Sequence, residues 1–232
     1  MWWRRLVSLL VVMALLCGGT IGAAVATEED ERVTAAADVF REFVAIPEKG
    51  IPSALLRNAY AIAIVPAVVK LGFVVGGRYG KGVMAVRADR GEWSNPSFVT
   101  FEGGGVGWQA GAQSSDIILV FKSKRSIEGI TRGKFTLGVA AAAAAGPVGR
   151  NAEAATDLTL KGEIYSYARS RGLFAGVSLE GAALRIDGTA NAAFYGRKGI
   201  GADEVLAGKR HESITVRRLL TLLEAHTSPP KK

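Results

Sequence analysis

The sequence predicts an α+β domain: an antiparallel, barrel-like β-sheet with an N-terminal helix and C-terminal helices packed around it. Three observations predict this. Short apolar segments, several with period-two alternation, recur from residue 61 to residue 181 between turn signals. Most of the 29 glycines are dispersed through apolar text, which suits the bends and bulges of a curved sheet better than a linker. Helical periodicity is concentrated at the two ends, in residues 27–46 and beyond Asp187.

Residues 1–26 read as a secretory signal. Arg4 and Arg5 supply the positive start, LVSLLVVMALL (6–16) the apolar middle, and AVA (24–26) a small-residue cleavage site. Cleavage after Ala26 is expected. A lipoprotein reading at Cys17 needs a small residue before the cysteine and meets Leu16. An uncleaved anchor would need about 20 apolar residues. Cleavage would remove the only cysteine, leaving no disulfide and no thiol chemistry. The net charge of +8 falls by two with Arg4 and Arg5 and still suits an anionic partner, although solubility explains it equally well.

Residues 27–232 then form a single domain. Thr27 can cap a helix over 27–46, with Glu28, Glu29 and Asp30 in its first turn. Val33, Ala37, Phe40 and Val44 make one apolar stripe, expected to pack on the domain. SALLRNA (53–59) can form a short helix. AIAIV (61–65) reads as a buried strand ended by Pro66. FVVGGRYG (73–80) and GVMAVRAD (82–89) read as a hairpin about Gly80-Lys81-Gly82. SFVTFEG (97–103), VGWQAGAQ (106–113) and DIILVF (116–121) read as three further strands, and SIEGITR (126–132) as a short helix. FTLGVAAAAAAG (135–146) is taken as a strand of small side chains, with strands near 161–169 and 172–181. DGTANAAFYG (187–196), ADEVLAG (202–208) and SITVRRLLTLLEAH (213–226) read as helices, and the tail as disordered.

Catalytic and cofactor motifs fail on inspection. GGRYGKG (76–82) lacks the first glycine and the Ser/Thr of a phosphate loop. Gly105, Gly107 and Ala110 meet the loose dinucleotide pattern, but a strand follows where a helix N-terminus is required. His211 and His226 have no zinc-site spacing and read as solvated or capping residues. Ser178 lacks a nucleophile elbow, and Asp116, Glu163, Glu180 and Asp187 are scattered. Asp116 reads as a cap or turn before a buried strand. The expectation is no enzyme, no metal and no cofactor.

The basic clusters are more informative. Lys122, Lys124, Arg125, Arg132 and Lys134 face only Glu128 in their span. Lys70, Arg78 and Lys81, with Arg87, form a second set. On a curved sheet both could lie at one rim and hold phosphate headgroups, each cation worth ~1 kcal/mol near an anionic surface. A solvated loop is the plainer alternative. Nucleic acid is disfavoured, because Phe121 and Phe135 beside the first cluster offer no stacking platform.

The stretches AGPVGR (145–150) and YSYARSRGLFAGVSLEG (165–181) stand out for glycine in apolar text. Gly146 and Pro147 mark a turn. Gly172 and Gly176 suggest bends or close backbone approach, and Arg150 and Arg171 loop hydrogen bonds. With NAYAIAIVP (58–66), GFVVGGRYGKGV (72–83), WSNPSF (93–98), Asp116 before IILVF and NAAFYG (191–196), these stretches resemble the SYLF family, in the family's order and over about residues 30–210. The resemblance implies a lipid- or phosphoinositide-binding domain without established catalysis, acting on anionic phospholipid at a membrane surface. With the leader, it implies a bacterial periplasm or envelope. Eukaryotic members also bind actin filaments, and some use an amphipathic N-terminal helix on lipid. Here that segment lacks a basic face. The alternative function is structural or assembly work in the envelope, with a protein partner on the basic surface.

Overall fold

The computed structural model describes residues 26–46, 50–72, 75–88, 91–106, 111–131, 134–136, 143–146, 163–170, 173–177, 179 and 181–228. The leader before Ala26 lies outside them, as do Arg132, Pro147, Arg150, Arg171 and Gly172.

Helix α1 spans Glu28–Val44. The Thr27 side chain caps it by accepting from the Asp30 amide, and four carboxylates occupy its first turn. Val33, Ala37 and Phe40 of the expected stripe are buried and Val44 is partly so, which packs the helix on the sheet. Helix α2 is Ser53–Arg57.

The strands are β1 (Ala61–Gly72), β2 (Val75–Val86), β3 (Ser97–Val106), β4 (Gly111–Phe121), β5 (Lys134–Thr136), β6 (Ala143–Ala145), β7 (Ile164–Ser170), β8 (Leu173–Gly176) and β9 (Ala183–Ile186). A 3-10 turn at Lys124–Ser126 and helix α3 (Glu128–Thr131) follow β4. Helices α4 (Gly188–Tyr195), α5 (Ala202–Ala207) and α6 (Ile214–Thr227) close the described chain, as the sequence predicts. The sheet order is β5-β9-β3-β2-β1-β4-β7-β6, with β8 also on β7. The described pairings are antiparallel except β6 on β7. Among the described residues the end strands β5 and β6 do not pair, so the sheet is not closed there.

Pro66 does not end its strand. β1 continues through a bulge, its register shifting between Val65 and Val68 against β4. Ala67 takes φ +48° at this bulge and donates its backbone N–H to Asp116 Oδ1 at 3.0 Å. Asp116 therefore serves a bulge on the neighbouring strand instead of capping its own.

Gly80-Lys81-Gly82 is not a turn either. All three lie inside β2, and the β1–β2 connection falls between Gly72 and Val75. A Cβ on Gly82 would stand 2.2 Å from the Ile64 carbonyl oxygen, and one on Gly80 2.7 Å from Val68 Cγ2. The glycines are there because the bulged β1 presses on β2. Similarly, the strand expected at 97–103 extends to Val106, and the next two become parts of β4 and the connection before it. Strand β8 ends at Gly176, and β9 occupies residues that the sequence left unassigned.

The sheet buries both faces. On one, Ile64, Val83, Phe98 and Ile118 meet Phe40 and Phe43 of α1 and Leu220 of α6. On the other, Val65, Met84, Val99 and Leu119 meet Ile127 and Ile130 from the turn and α3.

Candidate functional site

The candidate site lies where β1 and β2 run past the bulge. Beyond it, Val69 stands opposite Tyr79 and Lys70 opposite Arg78. Alternation puts Val68 and Lys70 on the face away from α1, with Arg78 beside them. On the other side Lys70 pairs with Gln113 of β4, so Gln113, Ser115 and Ile117 join the same face. Ala168 of β7, Val177 and Leu179 complete a cavity of about 340 Å³.

Its lining has a gradient. Val68, Ile117 and Leu179 at the floor are 2–3% exposed. Lys70 and Arg78 are half-buried and Gln113 is exposed. Among the described residues the lining contains no carboxylate and neither cation makes an ion pair. Like charges placed directly opposite on neighbouring strands repel. The rim is fixed by Gln113 Nε2 donating to Ser170 Oγ at 3.1 Å and by Ser170 Oγ donating to the Ser114 carbonyl at 3.0 Å. Arg169, one residue away on β7, points to the helix face and is neutralised there by Glu42 of α1 and by Asp116.

The other predicted cations are placed differently. Lys81 faces α1, its Nζ 3.0 Å from Glu28 Oε1. The hydrogen bond from Lys81, followed by that from Arg32, holds the Glu28 carboxyl below the usual carboxylate range. Lys122, Lys124 and Arg125 follow Phe121, which pairs with Ala61 at the opposite end of β1. At ~3.3 Å per residue Lys70 and Lys122 are roughly 25–30 Å apart. The expectation of a single rim is therefore overturned: β1 is one continuous strand, with Lys70 and Arg78 near one end and Lys122 near the other, where Arg87 of the second set also lies. Lys122 lines a cavity with Arg57, Tyr60 and Arg87. Lys124 lines an open groove of about 410 Å³ with Tyr60, Ile127, Leu206, Glu128 and Asp203. Lys134 begins β5, its backbone paired with Arg185.

The described signature glycines, Gly146 and Gly176, lie beside Tyr167. A Cβ on Gly146 would stand 2.1 Å from Tyr167 Cζ, and the Gly146 N–H donates to the Ser166 carbonyl at 3.0 Å. Gly176 stands opposite Tyr167 in the β7–β8 pair. The Tyr167 ring is fully buried and stacks on Phe174 at 5.6 Å, and Phe174 meets Phe43 of α1 edge-on at 5.3 Å. Burial, with a lesser contribution from Tyr165, pushes the Tyr167 phenol far above its usual range.

His211 packs on Phe194 and Tyr195, and its Nδ1 accepts from the amide of Ser213, the residue capping α6. His226 meets Phe40 edge-on. Among the described residues no group of three or more His, Cys, Asp or Glu could hold a metal, and no helix is long and apolar enough to cross a membrane. Sequence reading missed Asn95 as a fastener. Its Nδ2 donates to the Lys209 carbonyl and its Oδ1 accepts from the His211 amide, each at 2.8 Å. An Asn before a Pro, in WSNPSF, was the available signal.

Comparison with known proteins agrees with the signature. The family described as "Ysc84: Las17-binding protein actin regulator" matches residues 102–226. The chain is 35% identical over 198 residues to SH3 domain-containing YSC84-like protein 1 of Xenopus laevis, covering 83% of this chain and 59% of that protein. The Homo sapiens protein of the same name is 36% identical over 198 residues, covering 83% of this chain and 57% of its own length. Protein YSC84 of Saccharomyces cerevisiae is 38% identical over 169 residues, covering 69% of this chain and 36% of its own length. The chain thus spans less than two thirds of each of these relatives. With the signature in order and more than half the chain matched, the chain belongs to the Ysc84 family, the family of SYLF domains.

Proposed function

We propose that the protein binds anionic phospholipid headgroups, phosphoinositide-like in charge, at a membrane surface of the cell envelope and without catalysis. The observation that carries this reading is the opposed pair Lys70 and Arg78 at the mouth of a cavity with no carboxylate among its described lining residues. A phosphate between the two cations offsets their repulsion and accepts hydrogen bonds from both. Around the same end of the sheet, Val69 is 41% exposed, Tyr79 48% and Leu173 79%. Exposed apolar and tyrosyl side chains beside cations suit the boundary between headgroups and acyl chains. The envelope location rests on the leader-like residues 1–26. Flotation with anionic but not neutral vesicles tests the reading.

A protein partner is the second reading. It is favoured by the groove at Lys124, where apolar Tyr60, Ile127 and Leu206 alternate with charges of both signs, and by a family description that names protein binding. Capture of an envelope protein, with no vesicle binding, would select it.

A further inference from the structure

The cavity behind Lys70 and Arg78 has an apolar lining that a headgroup contact does not require. Its floor is made of Val68, Ile117 and Leu179, and Ala168 and Val177 form walls. Its volume of about 340 Å³ falls within the ~300–1,000 Å³ of small-molecule sites. Polarity changes along single strands: Lys70 to Val68 on β1, and Gln113 through Ser115 to Ile117 on β4. A soluble polyphosphate would leave that floor uncovered, and a purely apolar ligand would leave the two cations unanswered.

We infer that the site takes one molecule of an anionic amphiphile, with its phosphate between Lys70 and Arg78 and the leading methylenes of one alkyl chain on the Val68–Ile117–Leu179 floor. This rests on the headgroup reading and deepens it: the lipid is partly drawn out of the bilayer into the protein. Surface contact with phosphate and insertion of a chain share the same charge chemistry and differ in their response to chain length.

The test is calorimetric titration of the purified protein with glycerol phosphate, butyl phosphate, hexyl phosphate and octyl phosphate, all as monomers. Octyl glucoside serves as the uncharged control, and anionic vesicles are run alongside. Burial of each added methylene is expected to raise affinity up to about fourfold until the floor is covered. Octyl glucoside is expected to bind at least tenfold more weakly than octyl phosphate. Ala168→Phe narrows the cavity and is expected to flatten the chain-length series, with its melting temperature measured to confirm folding. The series on the unaltered protein decides the matter if that variant fails to fold. Octyl phosphate binding no tighter than glycerol phosphate, with vesicles still bound, overturns chain insertion and leaves headgroup binding standing. Equal binding of octyl glucoside overturns the role of the cation pair. Failure of every phosphate ester and of the vesicles overturns the inference and the reading on which it rests.

Discussion

Arg32 Nη1 donates to Asp187 Oδ2 at 3.0 Å, joining the first helix to the cap of a helix 155 residues later. The Arg32 side chain is 7% exposed and also reaches Glu28, and its guanidinium lies 5.3 Å from the Phe98 ring centroid. Asp187 carries two duties, since its other oxygen accepts from the Ala190 amide at the start of α4. Helix α1 is therefore clamped to the sheet.

Removing that clamp should be costly. Arg32→Met leaves Asp187 without its partner and is expected to cost about 3 kcal/mol. Asp187→Asn keeps a side-chain acceptor for the cap and should cost less. Denaturant unfolding gives both values, and hydrogen exchange should show α1 amides losing protection first in the Arg32 variant.

Two glycines of one strand should behave oppositely. At Gly82 a Cβ would meet the Ile64 carbonyl at 2.2 Å and Val65 Cα at 2.8 Å, both backbone atoms. Gly82→Ala should cost at least the upper end of the ~1–3 kcal/mol typical of overpacking. At Gly77 nothing lies within 4 Å of an added Cβ. Gly77→Ala should be neutral or stabilise by up to ~1 kcal/mol, because it restricts the unfolded chain. Thermal melts of the pair check this.

The alkaline limb of stability should report the buried phenols. Burial pushes Tyr195 well above its usual range, and Tyr195 Oη donates to the Pro96 carbonyl at 2.7 Å. Tyr167 is shifted the same way. The folded protein holds protons that the unfolded chain releases above about pH 10. Their contribution is complete below that pH and is lost as the pH rises further. Tyr195→Phe should cost ~1 kcal/mol at neutral pH and make the decline above pH 10 shallower. Urea midpoints between pH 8 and 11.5 test it.

The helices were legible because their signals are local: Thr27 with the acidic first turn, the Phe40 stripe, and the apolar face of the last helix. The middle of the sheet was not. Pro66 and Gly80-Lys81-Gly82 carry turn chemistry, yet the first belongs to a bulge and the glycines make room for it. Their meaning is set by a neighbouring strand, which no short window contains. The site was half legible. Lys70 and Arg78 were named, but their opposition follows from the register after the bulge. Lys81 was placed with them, and alternation on β2 turns it to Glu28 instead.

The two basic ends should separate by mutation. Lys122, Lys124 and Arg125 lie beyond several screening lengths from the cavity, the Debye length being ~8 Å at 0.15 M salt. Reversing all three to Glu should change vesicle affinity by less than about threefold at that salt. A loss above a hundredfold, the outcome of ~1 kcal/mol from each cation at the surface, would move the headgroup site to this end.

Headgroup binding by Lys70 and Arg78 is decided by flotation with vesicles of phosphatidylcholine alone and with added anionic phospholipid, comparing the unaltered protein with Lys70→Ala/Arg78→Ala. Flotation is expected only with the anionic vesicles. A loss of about thirtyfold is expected in the double variant, from ~1 kcal/mol per cation, with weaker binding at 1 M salt, where the screening length falls to ~3 Å. No flotation of the unaltered protein, or equal flotation of the double variant, would contradict headgroup binding by this pair.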